Sequence, residues 1–427
     1  MRSGTVSDLH IHPGCLQGVV EPPPSKSDAH RALIAAWLAG DQDWSGVSGL
    51  PAVLSDDLAA TCRCLTALAD GQQVLDCGES GTTLRLLVPL AAALDPDGYE
   101  PSGRGKPVYR ASRVTFTGGG RLPERPLETY RMLLGRAGAD LVFPDQGSLP
   151  LELAGCIRPG LYQVPGHISS QYLSGLLFAL PLLPGDSRIE LTSPLESAPY
   201  VAMTLRTLSC FGIAVHETGS GYDVPGRQKY RPAAYAIEKD YSQAAFWLTA
   251  NYLGSRLQVA GLPADSAQGD RAIEALLADF SRGRTAYEID AAQIPDLVPI
   301  LAVAAAGTPA VTRISHAARL RFKESDRLES TAALLQAIGI RASVEVDGLL
   351  IQGTGTSGHQ TGAGLFAGGE VDSLGDHRIA MAAAIAALRS VQGIVLHHAE
   401  AVRKSYPDFF HDFIRLGGHV DELDLGT

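Results

Sequence analysis

The chain lacks the features by which several classes of protein are recognised. Only 6% of its 427 residues are aromatic, 19% are charged, and the formal net charge is −11. Nucleic-acid-binding and membrane-surface proteins use a broad basic face to collect phosphate groups, so this acidic balance argues against both classes. Any anion-binding site must therefore be local.

Disulfide bonds and membrane spans are also not expected. The six cysteines include no C-x-x-C pair, and a chain of this length can bury a core without disulfide bonds. The longest apolar runs, residues 297–306 and 379–388, are shorter than the about 20 residues that span a bilayer. Residues 1–14 are polar and lack the apolar core of a signal peptide. The sequence therefore predicts reduced thiols and a cytoplasmic protein.

Hydrophobic residues, mainly Ala, Leu and Val, make up 45% of the chain and concentrate in six segments that are apolar on nearly every face. Such segments are typical of buried helices, and an amphipathic segment, usually ended by a glycine, follows each one. The buried segments begin at Arg31, Thr82, Gln171, Ser242, Asp296 and His377, and the amphipathic segments begin near Leu58, Leu127, Tyr200, Arg271, Arg327 and Phe409. Short strand-like runs lie between them, which predicts an α/β unit used six times in two domains. The alternative is an ordinary α/β protein without a true repeat.

Polar and cationic residues precede most of the buried segments. The first turn of a helix presents unpaired backbone N–H groups and a partial positive charge, and both attract anions. Such residues occupy positions 25–31, 78–85, 167–171 and 376–378, and further cationic clusters occupy positions 118–126, 319–327 and 403–407. Each cluster alone could be a helix cap or a solvated surface. Their number favours anion binding inside the protein.

These clusters contain nine short motifs in a fixed order. They are P-x-S-K-S-x-x-x-R-A-L at 23–33, G-x-x-G-T-x-x-R at 78–85, R-x-x-E-R-P at 121–126, S-S-Q-x-x-S-x-L-L at 169–177, S-x-P-Y at 197–200, I-P-D at 294–296, K-E-x-D-R-L at 323–328, D-H-R-x-A-M at 376–381 and K-S-x-P-x-F-F at 404–410. With them the sequence closely resembles the EPSP synthases (3-phosphoshikimate 1-carboxyvinyltransferases) of the enolpyruvyl transferase family. The resemblance covers essentially the whole chain.

The resemblance implies a two-domain, inside-out α/β barrel fold. Each domain would contain three βαβαββ units, in agreement with the six repeats. Residues 26–237 would form one domain, which binds mainly shikimate 3-phosphate. Residues 1–25 and 238–427 would form the other, which contributes residues that bind phosphoenolpyruvate and catalyse the reaction. The active site is expected in the cleft between the domains.

The resemblance also implies the reaction. An enzyme of this family transfers the enolpyruvyl group of phosphoenolpyruvate to the 5-hydroxyl of shikimate 3-phosphate, releasing phosphate, on the route to chorismate and the aromatic amino acids. It needs no metal or organic cofactor, and glyphosate competes for the phosphoenolpyruvate site. We expect a monomer that binds these small molecules and neither nucleic acid nor membrane.

Individual positions receive roles only through the resemblance. Shikimate 3-phosphate is expected to contact Lys26, Ser27, Arg31, Ser169, Ser170, Gln171, Ser197, Tyr200, Asp296 and Lys323. Phosphoenolpyruvate is expected to contact Lys26, Gly81, Arg121, Gln171, Arg327, Arg378 and Lys404. The expected catalytic residues are Lys26, Asp296 and Glu324. Arginine suits carboxylate and phosphate because its planar guanidinium group can bind two oxygens at once.

Three positions depart from the common family pattern. Glu79 stands where many members have Asn, Arg319 occupies a position that is Asn in others, and Pro24 replaces the glycine of the usual P-G-S-K-S motif. Gly81 keeps the glycine associated with glyphosate sensitivity, so we expect a sensitive enzyme.

Three alternatives compete with this assignment. The sister enzyme that acts on UDP-N-acetylglucosamine shares the fold, but it carries a catalytic cysteine in a mobile loop, whereas residues 78–155 contain no cysteine. Residues 8–12 (DLHIH) resemble the D-x-H-x-H strand of metal-dependent amidohydrolases, although that fold needs eight alternating strands and helices. A non-catalytic anion-binding homologue is disfavoured because Lys26, Asp296, Glu324 and Arg327 are all present.

Overall fold

A computed structural model of the chain describes residues 8–94, 99–101, 103, 105, 111–354 and 364–423. The chain divides into two compact units, a continuous unit (Pro24–Glu238) and a discontinuous unit (Met1–Pro23 with Lys239–Thr427). Of the span predicted for the second domain, residues 1–7, 355–363 and 424–427 lie outside the described residues. The substrate preference predicted for each domain stays a prediction.

Short strands supply the sheets of both units. They are β1 (Asp8–Ile11), β2 (Gln17–Val20), β3 (Val47–Ser48), β4 (Val74–Asp76), β5 (Arg113–Thr117), β6 (Asp140–Val142), β7 (Leu151–Ala154), β8 (Leu161–Val164), β9 (Ser187–Leu191), β10 (His216–Thr218), β11 (Gly221–Val224), β12 (Tyr235–Ala236), β13 (Arg256–Val259), β14 (Ala286–Asp290), β15 (Val311–Ser315), β16 (Arg341–Glu345), β17 (Gly348–Gln352), β18 (Gly369–Asp372), β19 (Ile394–His397) and β20 (Val420–Leu423).

The helices alternate with the strands. They are α1 (Lys26–Leu38), α2 (Asp56–Ala69), α3 (Gly81–Ala93), α4 (Glu128–Arg136), α5 (Ser170–Ala179), α6 (Ala198–Cys210), α7 (Tyr241–Tyr252), α8 (Ala272–Phe280), α9 (Val298–Ala306), α10 (Arg327–Ala337), α11 (His377–Ala387) and α12 (Phe409–Arg415). None of the described helices is both long enough and apolar enough to cross a membrane.

The sheets repeat one pattern within each unit. Among its described residues, the continuous unit contains sheets of order β4-β5-β7-β6 and β10-β11-β9-β8 and the pair β12-β3; the discontinuous unit contains β14-β15-β17-β16, β18-β19-β1-β20 and the pair β13-β2. Every four-stranded sheet has one parallel pair and two antiparallel pairs. The recurrence confirms the predicted α/β repeat. Because β1 lies between β19 and β20, the start of the chain completes the last sheet.

Alternate helices fill the two cores. The helices α1, α3 and α5 are buried along nearly their whole length in the continuous unit, as α7, α9 and α11 are in the discontinuous unit. Small side chains permit this packing: a Cβ on Gly175 of α5 would lie only 2.5 Å from the carbonyl oxygen of Arg85 on α3. The other six described helices bury one face, which confirms the prediction of paired inner and outer helices.

Candidate active site

Polar side chains connect the starts of the buried helices in the continuous unit. His30 of α1 shares a 2.7 Å hydrogen bond with Thr61 of α2, whose hydroxyl lies 2.6 Å from that of Thr83 on α3. Gln171 of α5 donates through Nε2 to the hydroxyl of Thr82, at 2.8 Å. The N-terminal ends of α1, α3 and α5 therefore lie in one polar region, where their backbone N–H groups can serve an anion.

Lys26 stands at the first position of α1. The hydroxyl of Ser25 caps this helix by accepting the N–H of Asp28 at 3.4 Å. The ammonium group of Lys26 lies 2.6 Å from a carboxylate oxygen of Asp57, and the two side chains are only 14% and 10% exposed. A partly buried ammonium group is thus held at a helix N-terminus, close to where the sequence predicts anion binding.

Arg31 lies one turn further along α1 and is almost fully buried. Its guanidinium group donates to the carbonyl of Ser27 at 2.5 Å, to the hydroxyl of Thr204 at 2.7 Å and to the carbonyl of Tyr200 at 3.0 Å. Burial lowers the pKa of Arg31 to about 10, which leaves it charged at neutral pH. Ser27 and Tyr200, both predicted to bind shikimate 3-phosphate, here position Arg31 through their backbone carbonyls.

The predicted S-S-Q residues begin α5, and Ser197 immediately precedes α6. The hydroxyl of Ser169 accepts the N–H of Gln171 at 3.2 Å, and Ser170 is buried at the first helical position. Ser197 has a left-handed backbone with φ of 56° and is buried. The side-chain oxygen of Gln171 accepts a 2.9 Å hydrogen bond from Arg85. These residues are thus uncharged polar groups at helix starts, and Gln171 contacts the cation of Arg85.

Two arginines outside the predicted binding set are buried near Gly81, which begins α3. A Cβ on Gly81 would press against the terminal nitrogen of Arg125, while Arg85 lies one turn along α3. Arg85 and Arg125 are 9% and 7% exposed. Arg85 ends the G-x-x-G-T-x-x-R motif and Arg125 lies within the R-x-x-E-R-P motif. Their places in these motifs could have indicated them from the sequence. The predicted Arg121 is more exposed and forms a 2.9 Å ion pair with Glu124.

Asp296 is the centre of a buried ionic network in the discontinuous unit. Its carboxylate lies 2.9 Å from Arg327, 3.1 Å from Arg378 and 3.5 Å from Lys323. Burial alone would raise the pKa of Asp296, but the positive charges of Arg378, Lys323 and Arg327 outweigh burial and hold the pKa well below its usual value. Asp296 is therefore ionised at neutral pH.

Arg327 connects three carboxylates and is only 1% exposed. It forms ion pairs with Asp296 at 2.9 Å, Glu324 at 2.6 Å and Asp376 at 2.8 Å. Burial opposes the charge, yet the three carboxylates together raise the pKa of Arg327 above that of a free arginine. For Lys323 the balance is reversed: burial lowers its pKa in spite of the neighbouring Asp296.

Arg378 joins the starts of the buried helices in the discontinuous unit. It donates to the carbonyl of Asp296 before α9 at 3.0 Å and to the hydroxyl of Ser242 on α7 at 3.1 Å. Asp376 caps α11 by accepting the N–H of Arg378 at 2.9 Å. Lys404 donates to the carbonyl of Gly375, at 2.7 Å, just before this cap. The helix start at Ser242, which carries no cation of its own, thus receives one from α11.

The structure places most of the predicted residues in two groups. The discontinuous unit brings Asp296, Lys323, Glu324, Arg327 and Arg378 into one network, with Lys404 beside the start of α11. The continuous unit places Lys26, Arg31, Gly81 and Gln171 at or near the starts of buried helices. Cations at helix starts suit anionic ligands, and buried carboxylates suit proton transfer. The binding and catalytic roles themselves stay predictions.

The D-x-H-x-H segment does not belong to an eight-fold barrel. Its strand β1 pairs antiparallel with β19 on one side and with β20 on the other, in a mixed four-stranded sheet. Asp8 forms a 2.9 Å ion pair with His397. The observed sheets therefore disagree with the amidohydrolase alternative.

Comparison with known proteins agrees with this arrangement. A family model for EPSP synthase (3-phosphoshikimate 1-carboxyvinyltransferase) matches residues 68–413. The 3-phosphoshikimate 1-carboxyvinyltransferase of Clostridium kluyveri is 40% identical, covering 98% of this chain and 99% of its own, and that of Clostridium acetobutylicum is 37% identical with the same coverage. A solved structure of EPSP synthase from Acinetobacter baumannii has a TM-score of 0.75 at 25% identity, covering 98% of this chain and all of its own. The chain therefore belongs to the EPSP synthase (3-phosphoshikimate 1-carboxyvinyltransferase) family.

Proposed function

We propose that the protein transfers the enolpyruvyl group of phosphoenolpyruvate to the 5-hydroxyl of shikimate 3-phosphate and releases phosphate. The observation that carries this proposal is the buried network in which Arg327 joins Asp296, Glu324 and Asp376, in a chain of this family. Both substrates are anions that repel each other, and fixed cations overcome this repulsion better than water does. The product belongs to the route towards chorismate and the aromatic amino acids.

Shikimate 3-phosphate is bound mainly by the polar region of the continuous unit in this proposal. The hydroxyl groups of Ser27, Ser169, Ser170 and Ser197 suit its phosphate oxygens. Lys26, Arg31, Gln171, Tyr200, Lys323 and Asp296 complete the predicted set. The support is the position of Arg31 and the S-S-Q residues beside helix N-termini, with an arginine that stays charged at neutral pH.

Phosphoenolpyruvate is bound by arginines and lysines in this proposal. Arg327 and Arg378 suit its carboxylate and phosphate, and the lack of a side chain at Gly81 lets the guanidinium group of Arg125 lie close to the start of α3. Lys26, Arg121, Gln171 and Lys404 complete the predicted set. Glyphosate would compete for the same cations, and we propose that the enzyme is sensitive to it.

The reaction proceeds by addition and elimination. C3 of the enol accepts a proton, the 5-hydroxyl oxygen bonds to C2, and its own proton passes to a base. The C2–O bond to phosphate then breaks, C3 loses a proton, and the double bond returns with phosphate as the second product. Asp296 and Glu324 are the proposed proton-transfer groups, with Lys26 as a further participant.

Substrate binding changes the charge balance at Asp296 in this mechanism. Arg327 and Arg378, which now hold this carboxylate ionised, are also the proposed ligands of phosphoenolpyruvate. The charges of phosphoenolpyruvate compete for the two guanidinium groups, so the pKa of Asp296 rises on binding and the carboxylate becomes a stronger proton acceptor. Phosphate release would restore the original pairing.

The test is phosphate release from phosphoenolpyruvate with shikimate 3-phosphate, with UDP-N-acetylglucosamine and with no acceptor. We expect release only with shikimate 3-phosphate. Release with UDP-N-acetylglucosamine would support the sister activity, and release without any acceptor would refute transfer. Arg188→Ala, which removes an exposed ion pair with Asp223, is the matched control for arginine variants and should keep full activity. The cytoplasmic location and monomeric state remain predictions.

A further inference from the structure

Three side chains of metal-ligand type lie together on the outer face of the sheet that contains β1 and β20. His10 and His12 are two residues apart, so they project from the same face, and Asp421 on β20 is the register partner of His10. One ligand atom from each of His10, His12 and Asp421 lies within 4.8 Å of the other two. The opposite face of β1 carries Leu9 and Ile11, which are buried in the core.

The spacing is close to that of a tetrahedral metal site. Histidine nitrogens and carboxylate oxygens bind zinc at about 2.0–2.2 Å, which separates ligand atoms by about 3.3–3.6 Å. Nε2 of His12 lies 2.8 Å from a carboxylate oxygen of Asp421, and the rings of His10 and His12 have centroids 4.2 Å apart. Small side-chain rotations would therefore let all three groups reach one ion.

The surroundings also suit a cation. Asp421 supplies a carboxylate oxygen beside the two imidazole rings. The backbone N–H of His12 donates to the carbonyl of His419 at 3.0 Å, and the ring centroids of these two residues are 4.5 Å apart. Water could fill a fourth coordination position. Nε2 of His10 lies 3.4 Å from the carbonyl oxygen of Gln392, a contact that orients the ring.

We propose that His10, His12 and Asp421 form a binding site for a divalent transition-metal ion of the zinc class. Imidazole with one carboxylate favours zinc, nickel or copper over magnesium and calcium, which prefer oxygen ligands. The ion links strand β1 near the start of the chain to strand β20 near its end. It therefore stabilises the sheet that β1 and β20 complete together.

This site is independent of the proposed transferase reaction. None of its three ligands belongs to the residue sets assigned to the two substrates or to proton transfer, and none forms a hydrogen bond with a member of those sets among the described residues. Zinc bound here would therefore not argue for a hydrolase. Its test measures metal binding, so the result does not depend on whether enolpyruvyl transfer occurs.

The experiment uses the untagged full chain, stripped of metal with a chelator and then titrated with Zn²⁺ in competition with a chromogenic indicator. We expect one Zn²⁺ per chain. Losing a group that only supports a metal ligand weakens binding by about 10- to 100-fold, and losing a ligand itself should cost at least as much. We therefore expect His12→Ala and Asp421→Asn each to weaken Zn²⁺ binding by more than about 10-fold. His411→Ala, which removes an exposed histidine from α12 of the same unit, is the matched control and should bind as the wild type does.

Thermal unfolding supplies the second measurement. Zn²⁺ should raise the Tm of the wild type and of His411→Ala, because an ion that binds only the folded chain stabilises it, and should leave the Tm of Asp421→Asn unchanged. A cooperative melt without metal shows that each variant is folded. The proposal is overturned if the wild type binds no Zn²⁺, or if folded His12→Ala and Asp421→Asn bind it as tightly as His411→Ala does.

Discussion

Arg31 in the continuous unit and Arg327 in the discontinuous unit are both almost fully buried, yet their partners differ. Arg31 donates to two hydroxyls and to two backbone carbonyls, all of them neutral, whereas Arg327 contacts three carboxylates. The charge of Arg31 is therefore less neutralised and is available to an anion, as expected for a group that binds a phosphorylated substrate. The charge of Arg327 is already balanced, and a substrate anion must compete for it.

The difference shows how one repeated topology can serve two purposes. In both units the starts of three buried helices meet through polar contacts. In the continuous unit those contacts use hydroxyl, imidazole and amide groups and no carboxylate, and Lys26 is the one proposed participant in proton transfer. In the discontinuous unit they include the carboxylates of Asp296 and Asp376, with Glu324 close by, and carboxylates can transfer protons. Variants on each side of this difference should therefore differ in stability and in kinetics.

The largest effect is expected from Arg327→Ala. Removing this side chain leaves three carboxylates without their shared cation, and breaking a buried ion pair costs about 3–5 kcal/mol of unfolding free energy. We expect the variant to lose that stability in urea unfolding and to release no phosphate. Arg188→Ala, in an exposed pair, should change stability by no more than about 1 kcal/mol. Equal losses in the two variants would show that the Arg327 network has no special role.

The second prediction concerns Asp296→Asn. Loss of a general acid or base slows turnover by about 10²- to 10⁴-fold, and we expect this loss in kcat because Asn keeps the size but cannot take a proton. Asp76, an exposed carboxylate of the continuous unit, provides the control variant Asp76→Asn, whose kcat should stay near that of the wild type. A kcat for Asp296→Asn within a few-fold of the wild type would remove Asp296 from the proton-transfer steps.

The same variant has a testable dependence of stability on pH. The folded pKa of Asp296 lies below its usual value of 3.8, so its ionisation stabilises the fold above that value, and this contribution is lost as the pH falls below it towards the folded pKa. The unfolding free energy of the wild type, measured in urea, should therefore fall more steeply in acid than that of Asp296→Asn. If the unfolding free energies of the two proteins fall equally as the pH is lowered, the assigned charge state of this carboxylate is wrong.

The third prediction concerns Arg31, whose hydrogen-bond partners are all neutral. A hydrogen bond to a charged group contributes about 1.5–3 kcal/mol, so Arg31→Ala should raise the KM for shikimate 3-phosphate by about 10- to 150-fold. The KM for phosphoenolpyruvate should change much less. Steady-state kinetics with each substrate varied in turn measures both constants. Equal increases in the two KM values would show that Arg31 does not discriminate between the substrates.

The smallest effect is expected from Gly81→Ala. The new methyl group would displace only the end of the flexible Arg125 side chain, so the fold should tolerate it. The KM for phosphoenolpyruvate and the glyphosate concentration needed for inhibition should both rise a few-fold, which corresponds to about 1 kcal/mol or less. In the control, Gly135→Ala within α4, the methyl group meets nothing within 4 Å. That variant should be more stable by about 0.5–1 kcal/mol and kinetically unchanged. If glyphosate inhibits Gly81→Ala as strongly as it inhibits the wild type, Gly81 does not lie at the anion-binding site.

The buried helices were predictable because their apolar character is local. Runs of Ala, Leu and Val mark α9 and α11 as buried on every face, and polar residues before them mark their starts. The motifs then indicated the family, and with it the repeated βαβαββ unit. Nothing in this reasoning required knowledge of which distant side chains meet.

The partners of the charged residues could not be predicted in the same way. The sequence spacing does not show that Arg327 contacts Asp376, that Arg378 reaches Ser242, or that Arg125 packs against Gly81, because each contact joins separate motifs. Arg121 matched its motif, but the structure pairs it with Glu124.

The histidine cluster illustrates the same limit over the longest sequence distance. His12 and Asp421 are 409 positions apart, and only the antiparallel pairing of β1 with β20 brings them together. The D-x-H-x-H pattern resembles a hydrolase strand, an alternative that the rest of the sequence disfavours. Its place in the sheet instead indicates a surface metal site.

Enolpyruvyl transfer is tested most directly by ³¹P NMR spectra of the wild-type protein with phosphoenolpyruvate and shikimate 3-phosphate. We expect the phosphoenolpyruvate signal to be replaced by inorganic phosphate one for one, while the shikimate 3-phosphate signal shifts to that of a new phosphorylated product. Inorganic phosphate that accumulates while the shikimate 3-phosphate signal stays unchanged would contradict enolpyruvyl transfer.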